Sequence, residues 1–585
     1  MVKDCFYVKI KYVKKKISII FIAAAFFVSA AGSRADVLNE TRTFWVSQEY
    51  DASQRTQLSA TLRKVSANAY WYVEDAFWNS LGSAAPNYVS ALDGLSLEFD
   101  SRIYPGLREL FGSEWNPGID NDSKITVLLH NMKSDAGGYF TPNDEYPKEQ
   151  VKDDRSNERE MIYLNISHLP NQRIKGFLAH EFQHLITFNQ RTKIRGQNSD
   201  ADIWLNELRS EYTSAYLSYD ADFQASALET RKRDFAAEPS DSLTEWRNEK
   251  GDYANVNLFG QYLADRFGSG IMTKIIQSSK TGTEILDEVL SFYDASFSFG
   301  RVFGEWLTAV FLNNCALENG KYCYKNANLR NVKIAPTRAF SLAENAAVSI
   351  SQTAADWTGH WYQFNQWPKV LKMKISGSGP NSRLRVFYVV NDFSGKIEVK
   401  ELAIRKTAAG EEGIVYLSND PPFFNYAVFI IFNQFKTRNF SENDEPFTFT
   451  LNAEIIQEEP QPEPAAPDIA ELQRILKNLQ NQLQILIRES QARSAVQISR
   501  NLSFGARNGD VRILQQILSE APVGGPDIYP EALVTGYFGP ATQRAVQRFQ
   551  CKYDIICSGS PGTTGWGVVG PRTRVKINEI IAIGH

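Results

Sequence analysis

FLAHEFQHLITF, residues 177–188, constrains this chain more than any other stretch. On an α-helix, residues i and i+4 share a face. His180 and His184 therefore stand on one side of a helix with Glu181 beside them, and they account for two of only six histidines in 585 residues. Phe177, Leu178, Leu185 and Ile186 give the helix apolar surface, and no charge other than Glu181 lies between residues 176 and 190. A buried helix that carries His-Glu-x-x-His can hold one metal ion from one side and keep a carboxylate next to an open coordination position. Chance supplies such a spelling in about 0.004 chains of this composition. The competing reading is a pair of buried histidines satisfied by ordinary hydrogen bonds.

Two histidines are not a metal site. A further His-x-x-Gly-x-x-His continuation is absent, because LITFNQRT follows His184. The third ligand must come from elsewhere, and the helix predicted over ADIWLNELRSEYTSAYLSY (201–219) offers it. Glu207 and Glu211 lie four apart on one face. The first has the reach to bind a metal, and the second to accept from the outer nitrogen of a ligating histidine. Read without the motif, they are two solvated glutamates.

HEFQH followed by WLNE, and then by a glutamate four residues on, resembles the gluzincin clan of zinc metallopeptidases. With SNEREMIYLN (156–165), the set is most similar to the hyicolysin-type neutral zinc peptidases, over roughly 40–270. The resemblance implies an α+β, thermolysin-like zincin domain. It implies one zinc ion per chain held by His180, His184 and Glu207, with Glu181 as catalytic base and Glu211 supporting a ligand from behind. Leu208 and Arg209 depart from the small residue usual after WLNE, which tightens the packing behind the ligand. The oxyanion needs a donor. After Glu207 the only histidines are His360 and His585, so a tyrosine is favoured, and Tyr253 in GDYANVNLFGQYLADRFG is the candidate. AGGYFT (136–141) reads as an edge strand for extended peptide. Asp120 and Asp122 in GIDNDSK (118–124) offer oxygens to calcium, or cap a turn.

Around this core the chain divides. Residues 1–35 read as an export signal with a lysine-rich start and the apolar run ISIIFIAAAFFVSAA, too short for a bilayer span of about 20 residues. Cleavage is expected before Asp36, and no transmembrane segment is expected in the mature chain. Residues 36–330 form the expected peptidase domain. Within it 36–123 reads as mostly helical, with RTQLSATLRKVSANAYWYVEDAFWN (55–79) at helical spacing. Strands follow at 123–132, 136–141 and 160–167, and helices at 256–268 and 303–317. Short alternating runs over 335–455 predict an all-β sandwich. Residues 456–468 are a Pro/Glu-rich linker. Leu472, Leu476, Leu479, Leu483 and Leu486 make a short heptad helix over 469–490, read as a weak coiled coil or a lone surface helix.

The last part, 505–585, contains an internal echo: YFGPATQRAVQRF is followed by VVGPRTRVKINEI. Gly before a helix with Pro at its first position is sound helix-start chemistry. DVRILQQIL…GYFGPATQRAVQRFQ…GVVGPRTRVKI resembles the small all-α peptidoglycan-binding bundle of bacterial wall enzymes, with a longer insert, CKYDIICSGSPGTTGWG. Cysteine usage fits export. Cys315 with Cys323 and Cys551 with Cys557 lie close in sequence and predict two local disulfides.

The net charge of −4 argues against a nucleic-acid partner. The expected function is a secreted, periplasmic or cell-wall-associated zinc endopeptidase acting on protein or peptide, held at peptidoglycan by its tail, with the β module and linker as spacer. The alternatives are a hydrolase directed at peptidoglycan itself and a catalytically dead wall-adhesion protein.

Overall fold

The computed structural model describes residues 35–197, 202–420, 423–440, 445–459, 474–485 and 497–583. The export signal with Cys5, most of the linker, Leu472, Leu486 and His585 lie outside them. The chain separates into two compact units, residues 1–460 and 461–585. It is a multidomain α/β protein with several sheets and a helical C-terminal region.

The first sheet has six strands: β1 (Thr41–Trp45), β2 (Gln57–Val65), β3 (Ala69–Glu74), β4 (Ile125–His130), β5 (Gly138–Tyr139) and β6 (Met161–Asn165). Their order is β1-β2-β3-β4-β6-β5, so β5 is an edge. β3, β4 and β6 run parallel, and β5 runs antiparallel to β6.

The expected helix over 55–79 is a correction: these residues form the antiparallel hairpin β2–β3. Leu58, Leu62 and Val65 fit a helical period, yet Leu58, Ala60 and Leu62 also alternate, and it is the alternation that the sheet buries. In β3 both faces are covered. Tyr70 and Tyr72 join one cluster, and Trp71 and Val73 join the cluster under the helices. A strand buried on both sides shows no alternation, and its aromatic and β-branched residues are then the only local sign of a strand. Helices come next, as α1 (Asp75–Ser80), α2 (Ala85–Glu98) and α3 (Tyr104–Phe111).

α4 (Ile174–Thr187) lies on the helical face of the sheet. Leu178, Ala179, Phe182, Leu185 and Ile186 are buried in the same cluster as Val127, Leu129 and Leu164. Each of the larger side chains contributes about 1.5–3 kcal/mol on leaving water. α5 (Ile203–Tyr216), α6 (Ala227–Ala237), α7 (Lys250–Phe267), α8 (Gly270–Gln277), α9 (Glu284–Ser291) and α10 (Phe299–Leu312) complete this part. Leu208 is accommodated because Gly260 faces it on α7: a Cβ there would lie 3.1 Å from Leu208 Cγ.

Strands β7 (Arg338–Ser341) through β16 (Phe447–Ile456) form two five-stranded sheets. β8 (Ala347–Ala354), β10 (Val370–Ser378), β13 (Arg405–Thr407), β14 (Gly410–Ser418) and β16 make one. β7, β9 (His360–Asn365), β11 (Leu384–Asp392), β12 (Ile397–Glu401) and β15 (Phe424–Asn433) make the other. This module is no spacer. The outer face of the second sheet shares a core with α10: Phe303 meets Phe432 at 5.1 Å, and the Trp361 indole donates to the Leu307 carbonyl at 3.0 Å. The sandwich is a wall of the first unit.

In the second unit, residues 474–485 form a helix, α11, whose Ile475, Leu476, Leu479 and Leu483 are 45–57% exposed. α12 (Gly509–Ser519), α13 (Pro540–Lys552) and α14 (Pro571–Ile583) share a separate core. The sequence echo has a structural counterpart. Gln515 on α12 donates to Tyr537 O and Thr542 Oγ1 at 2.9 and 2.8 Å and accepts from Gly536 N–H at 2.7 Å. Gln550 on α13 repeats this with Val568 O, Thr573 Oγ1 and Gly567 N–H at 2.9, 3.0 and 2.7 Å. Each glutamine ties the Gly-Pro-x-Thr turn that starts the next helix. Both expected disulfides, Cys315–Cys323 and Cys551–Cys557, are formed.

Candidate metal centre

α4 and α5 bring the candidate ligands together. His180 Nε2 lies 3.1 Å from Glu207 Oε2, and His184 Nε2 lies 3.4 Å from Glu207 Oε1. The two imidazole rings are 4.8 Å apart and nearly perpendicular. In a tetrahedral site with bonds of 2.0–2.2 Å, neighbouring ligand atoms are about 3.3 Å apart. The side chains therefore fit a zinc ion with little adjustment. Beyond that contact with His180 Nε2, the buried Glu207 Oε2 has no hydrogen-bond partner among the described residues.

Donor atoms of His180, Glu181 and His184 fall within 4.8 Å of one another as well. The shorter contacts of Glu207 with both histidines favour it as third ligand and leave Glu181 beside the site.

The electrostatics point the same way. Burial opposes charging of His180, but contact with Glu207 and the charges of Glu181, Glu207 and Glu211 outweigh it and raise its pKa to about 9. Burial, reinforced by Glu207 and Glu211 and offset by His180, pushes Glu181 up to about 8. Burial takes His184 down to about 4 despite Glu207. Three carboxylates in one buried place create a negative field that a divalent cation would neutralise.

Behind the candidate ligands, Ser210 Oγ sits 3.2 Å from His184 Nδ1, and its own proton goes to Gln183 Oε1. That arrangement leaves His184 Nε2 as the lone-pair side when Nδ1 carries the hydrogen. Glu211 is placed differently from the expectation. Its Oε1 is 3.6 Å from His180 Nδ1, beyond hydrogen-bond length. Arg231 grips both its oxygens at 2.8 and 2.7 Å, and Asn257 donates to Oε2 at 3.0 Å. Arg209 is buried, and burial lowers its pKa to about 9.

A cleft of about 1110 Å³ opens over the site, lined among others by Tyr50, Gly138, His180, Glu181, Arg231 and Tyr253. Tyr253 does reach it, on the first turn of α7. This turn is fixed by a capping box of Glu249 and Asp252. The Tyr253 hydroxyl donates to Asn248 Oδ1 at 2.9 Å, and the Arg231 guanidinium lies 4.7 Å over the ring. Burial and the charges of Glu207 and Glu211 hold that hydroxyl in its protonated form.

Sequence reasoning passed over Tyr50, Gly138 and Arg231. Tyr50 stacks on Tyr139 of the edge strand at 4.7 Å, and burial with the charges of Glu49, Glu181 and Glu207 raises it to about 12. The double glycine of AGGYFT was the one available signal for Gly138.

The two aspartates expected as a calcium pair are engaged in hydrogen bonds of their loop. Asp120 Oδ1 accepts from Asp122 N–H at 2.9 Å and Asp122 Oδ1 from Lys124 N–H at 3.0 Å, both turn caps. Asp122 Oδ2 is taken by the Tyr70 hydroxyl at 2.9 Å. Both Asp122 oxygens thus accept hydrogen bonds.

Residues 507–577 match the family model described as a putative peptidoglycan binding domain. Neutral metalloprotease ShpI of Staphylococcus hyicus is 27% identical over 301 residues, 47% of this chain and 63% of that protein. The chain thus covers less than two thirds of that relative. Among solved structures, the pre-peptidase C-terminal domain of a collagenase from Bacillus anthracis is matched over 98% of its length and 20% of this chain, at 11% identity. Its TM-score of 0.14 carries no weight for the fold. The chain resembles a neutral metalloprotease and carries a C-terminal peptidoglycan-binding-type domain.

Proposed function

We propose that this protein is a secreted zinc endopeptidase with a thermolysin-like catalytic core, held at the cell wall by residues 505–585. The observation that carries the reading is the pair of contacts from Glu207 to His180 and His184, at 3.1 and 3.4 Å. His180, His184 and Glu207 would hold the zinc ion. When bound, zinc lowers the pKa of water and polarises a carbonyl.

Glu181 then has the base's task. It accepts a proton from the attacking water and delivers it to the leaving nitrogen. The edge strand β5 presents its free side to the cleft and can align an extended peptide by main-chain hydrogen bonds. Tyr253 donates toward the developing oxyanion. Glu211, with Arg231 and Asn257 behind it, holds the field around His180.

The C-terminal match supports attachment to peptidoglycan, and the same match favours a second reading, a hydrolase acting on the wall's own peptides. One experiment separates them. Purified full chain is assayed for zinc by elemental analysis and for cleavage of casein and purified wall in parallel. One zinc per chain with casein cleavage supports the endopeptidase, whereas release of wall peptides with inert casein supports the second reading. Glu181→Gln should keep the zinc and lose a factor of about 10²–10⁴ in kcat. A chain purified without chelators that holds no zinc overturns both.

A further inference from the structure

The tail builds one turn twice. Gln515 and Gln550 hold equivalent places, each bonded to the turn that starts the next helix. The residues before them correspond too. A Cβ on Gly536 would lie 3.7 Å from Arg512 Nε and 3.7 Å from Asn508 O, and a Cβ on Gly567 would lie 2.9 Å from Gln543 Cγ and 3.1 Å from Gln547 Nε2. Both glycines have left-handed backbone, with φ of 74° and 82°. Arg512 of the first copy thus stands where Gln547 stands in the second, and Tyr537 where Val568 stands. The second copy closes with neither the cation nor the phenol, so the turn does not need them to fold.

The surplus groups of the first copy form one exposed patch. Residues 504–508 run beside 536–538: Gly505 N–H donates to the Phe538 carbonyl at 2.9 Å, Phe538 N–H to Ala506 at 2.8 Å and Asn508 N–H to Gly536 at 3.2 Å. This pairing sets the Arg507 guanidinium 4.2 Å over the Tyr537 ring and the Phe504 ring 6.4 Å from it, at 62°. Phe504 is 51% exposed, and Arg507 and Arg512 are exposed as well. Neither arginine has a carboxylate at ion-pair distance among the described residues. Asp510, on the same turn of α12, is held by Arg500 at 2.5 Å, and Glu531 is held by Arg544 at 3.0 Å. A guanidinium that stacks on a ring by its face keeps its edge N–H groups free to donate.

On the wall-binding reading of the tail, we infer that Phe504, Arg507, Arg512 and Tyr537 take a carboxylate-bearing segment of peptidoglycan. The two guanidiniums bind a free carboxylate of a wall peptide, the anion whose planar pair of oxygens matches their fork. The exposed Phe504 ring covers the apolar face of the neighbouring sugar. A neutral glycan alone would leave both guanidiniums without a partner, and a bare anion would leave the rings uncovered. Peptidoglycan supplies both surfaces on one strand. The second turn, with Gln547 and Val568 at the matching positions, serves the fold.

The test sediments the full chain with purified peptidoglycan freed of phosphate-bearing polymers, in two forms. One is used as prepared, and the other has its carboxyls converted to amides with carbodiimide and ammonia. Wild type should bind the first form about 10-fold more tightly than the second, and added salt should narrow the gap. Arg507→Gln and Arg512→Gln should each lose about 10-fold on the first form and respond little to amidation. Both side chains are exposed, and Arg512→Gln with Tyr537→Val copies the second turn, so Tm should stay in place. If wild type sediments with neither form, nor with crude wall, the wall-binding reading falls and this inference with it. If wild type binds both forms equally, binds only crude wall that keeps its phosphate polymers, or is matched by the arginine variants, carboxylate recognition is overturned while attachment to the wall stands.

Discussion

Gly138 on the edge strand stands so close to Glu181 on α4 that a Cβ at residue 138 would lie 2.9 Å from Glu181 Cγ and 2.6 Å from the Tyr163 carbonyl oxygen. The strand reaches the proposed general base only because residue 138 has no side chain. Gly138→Ala must push the strand away or tilt Glu181. We expect kcat/KM on a peptide substrate to fall about 100-fold, the scale of a 1 Å misplacement, with zinc content unchanged. Activity within a few-fold of wild type would show that the strand does not set the position of Glu181.

Glu211 and Arg231 form a buried pair beside His180. Glu211→Gln keeps the shape but removes the charge behind His180. Zinc affinity should drop about 10–100-fold, read by competition with a chelating dye. Arg231→Met leaves Glu211 charged and buried, and should destabilise the protein by about 3–5 kcal/mol in denaturant unfolding. The double variant should recover part of that loss.

Two tyrosines face the cleft over His180 and Glu181, and their roles should separate. Tyr253→Phe removes the proposed oxyanion donor and should cost about 10²–10³ in kcat with little change in KM. Tyr50→Phe keeps the ring that stacks on Tyr139 and should cost less than about 10-fold. The reverse order in steady-state kinetics would assign the donor to Tyr50.

His360 is buried in the sandwich against Phe449, and neither ring nitrogen has a partner among the described residues. Burial lowers its pKa to about 4, below the ordinary 6.5. Above pH 6.5 both folded and unfolded chains hold it neutral, so it adds no pH dependence. Between 6.5 and 4 only the unfolded chain takes the proton. Stability should therefore fall across that window, by about 3 kcal/mol from this group, and level off below it. His360→Leu should flatten the corresponding part of the stability profile measured in urea.

Gln515 and Gln550 each tie down a Gly-Pro-x-Thr turn in the tail by several hydrogen bonds. Gln550→Leu strands the Gly567 N–H, at about 1–3 kcal/mol, whereas the Val568 carbonyl keeps the Gly570 N–H. Fragment 496–585 should sediment with purified wall, and Gln550→Leu should weaken that binding and lower the fragment's Tm. Proteolysis by the full chain should be unaffected. A wild-type fragment that stays in the supernatant removes the tail's proposed role.

The helix of His180, Glu181 and His184 and the helix of Glu207 and Glu211 were legible in the sequence because their geometry is local. A spacing of four residues fixes a shared face wherever the helix lies. The Gly-Pro-x-Thr helix starts and the two disulfide pairs were legible for the same reason, each being closed within a few residues. The strand β2 was not, because its apolar residues satisfy two periods at once and only pairing with β1 and β3 selects the extended one. Nothing local marks Tyr50, Arg231 or Gly138 as neighbours of Glu181. Those pairs are joined by strand order and helix packing across 43 to 131 residues. The sequence determined which groups can do chemistry. The tertiary fold decided which of them meet, because contact between distant residues is set by how the sheet and helices bury their apolar faces.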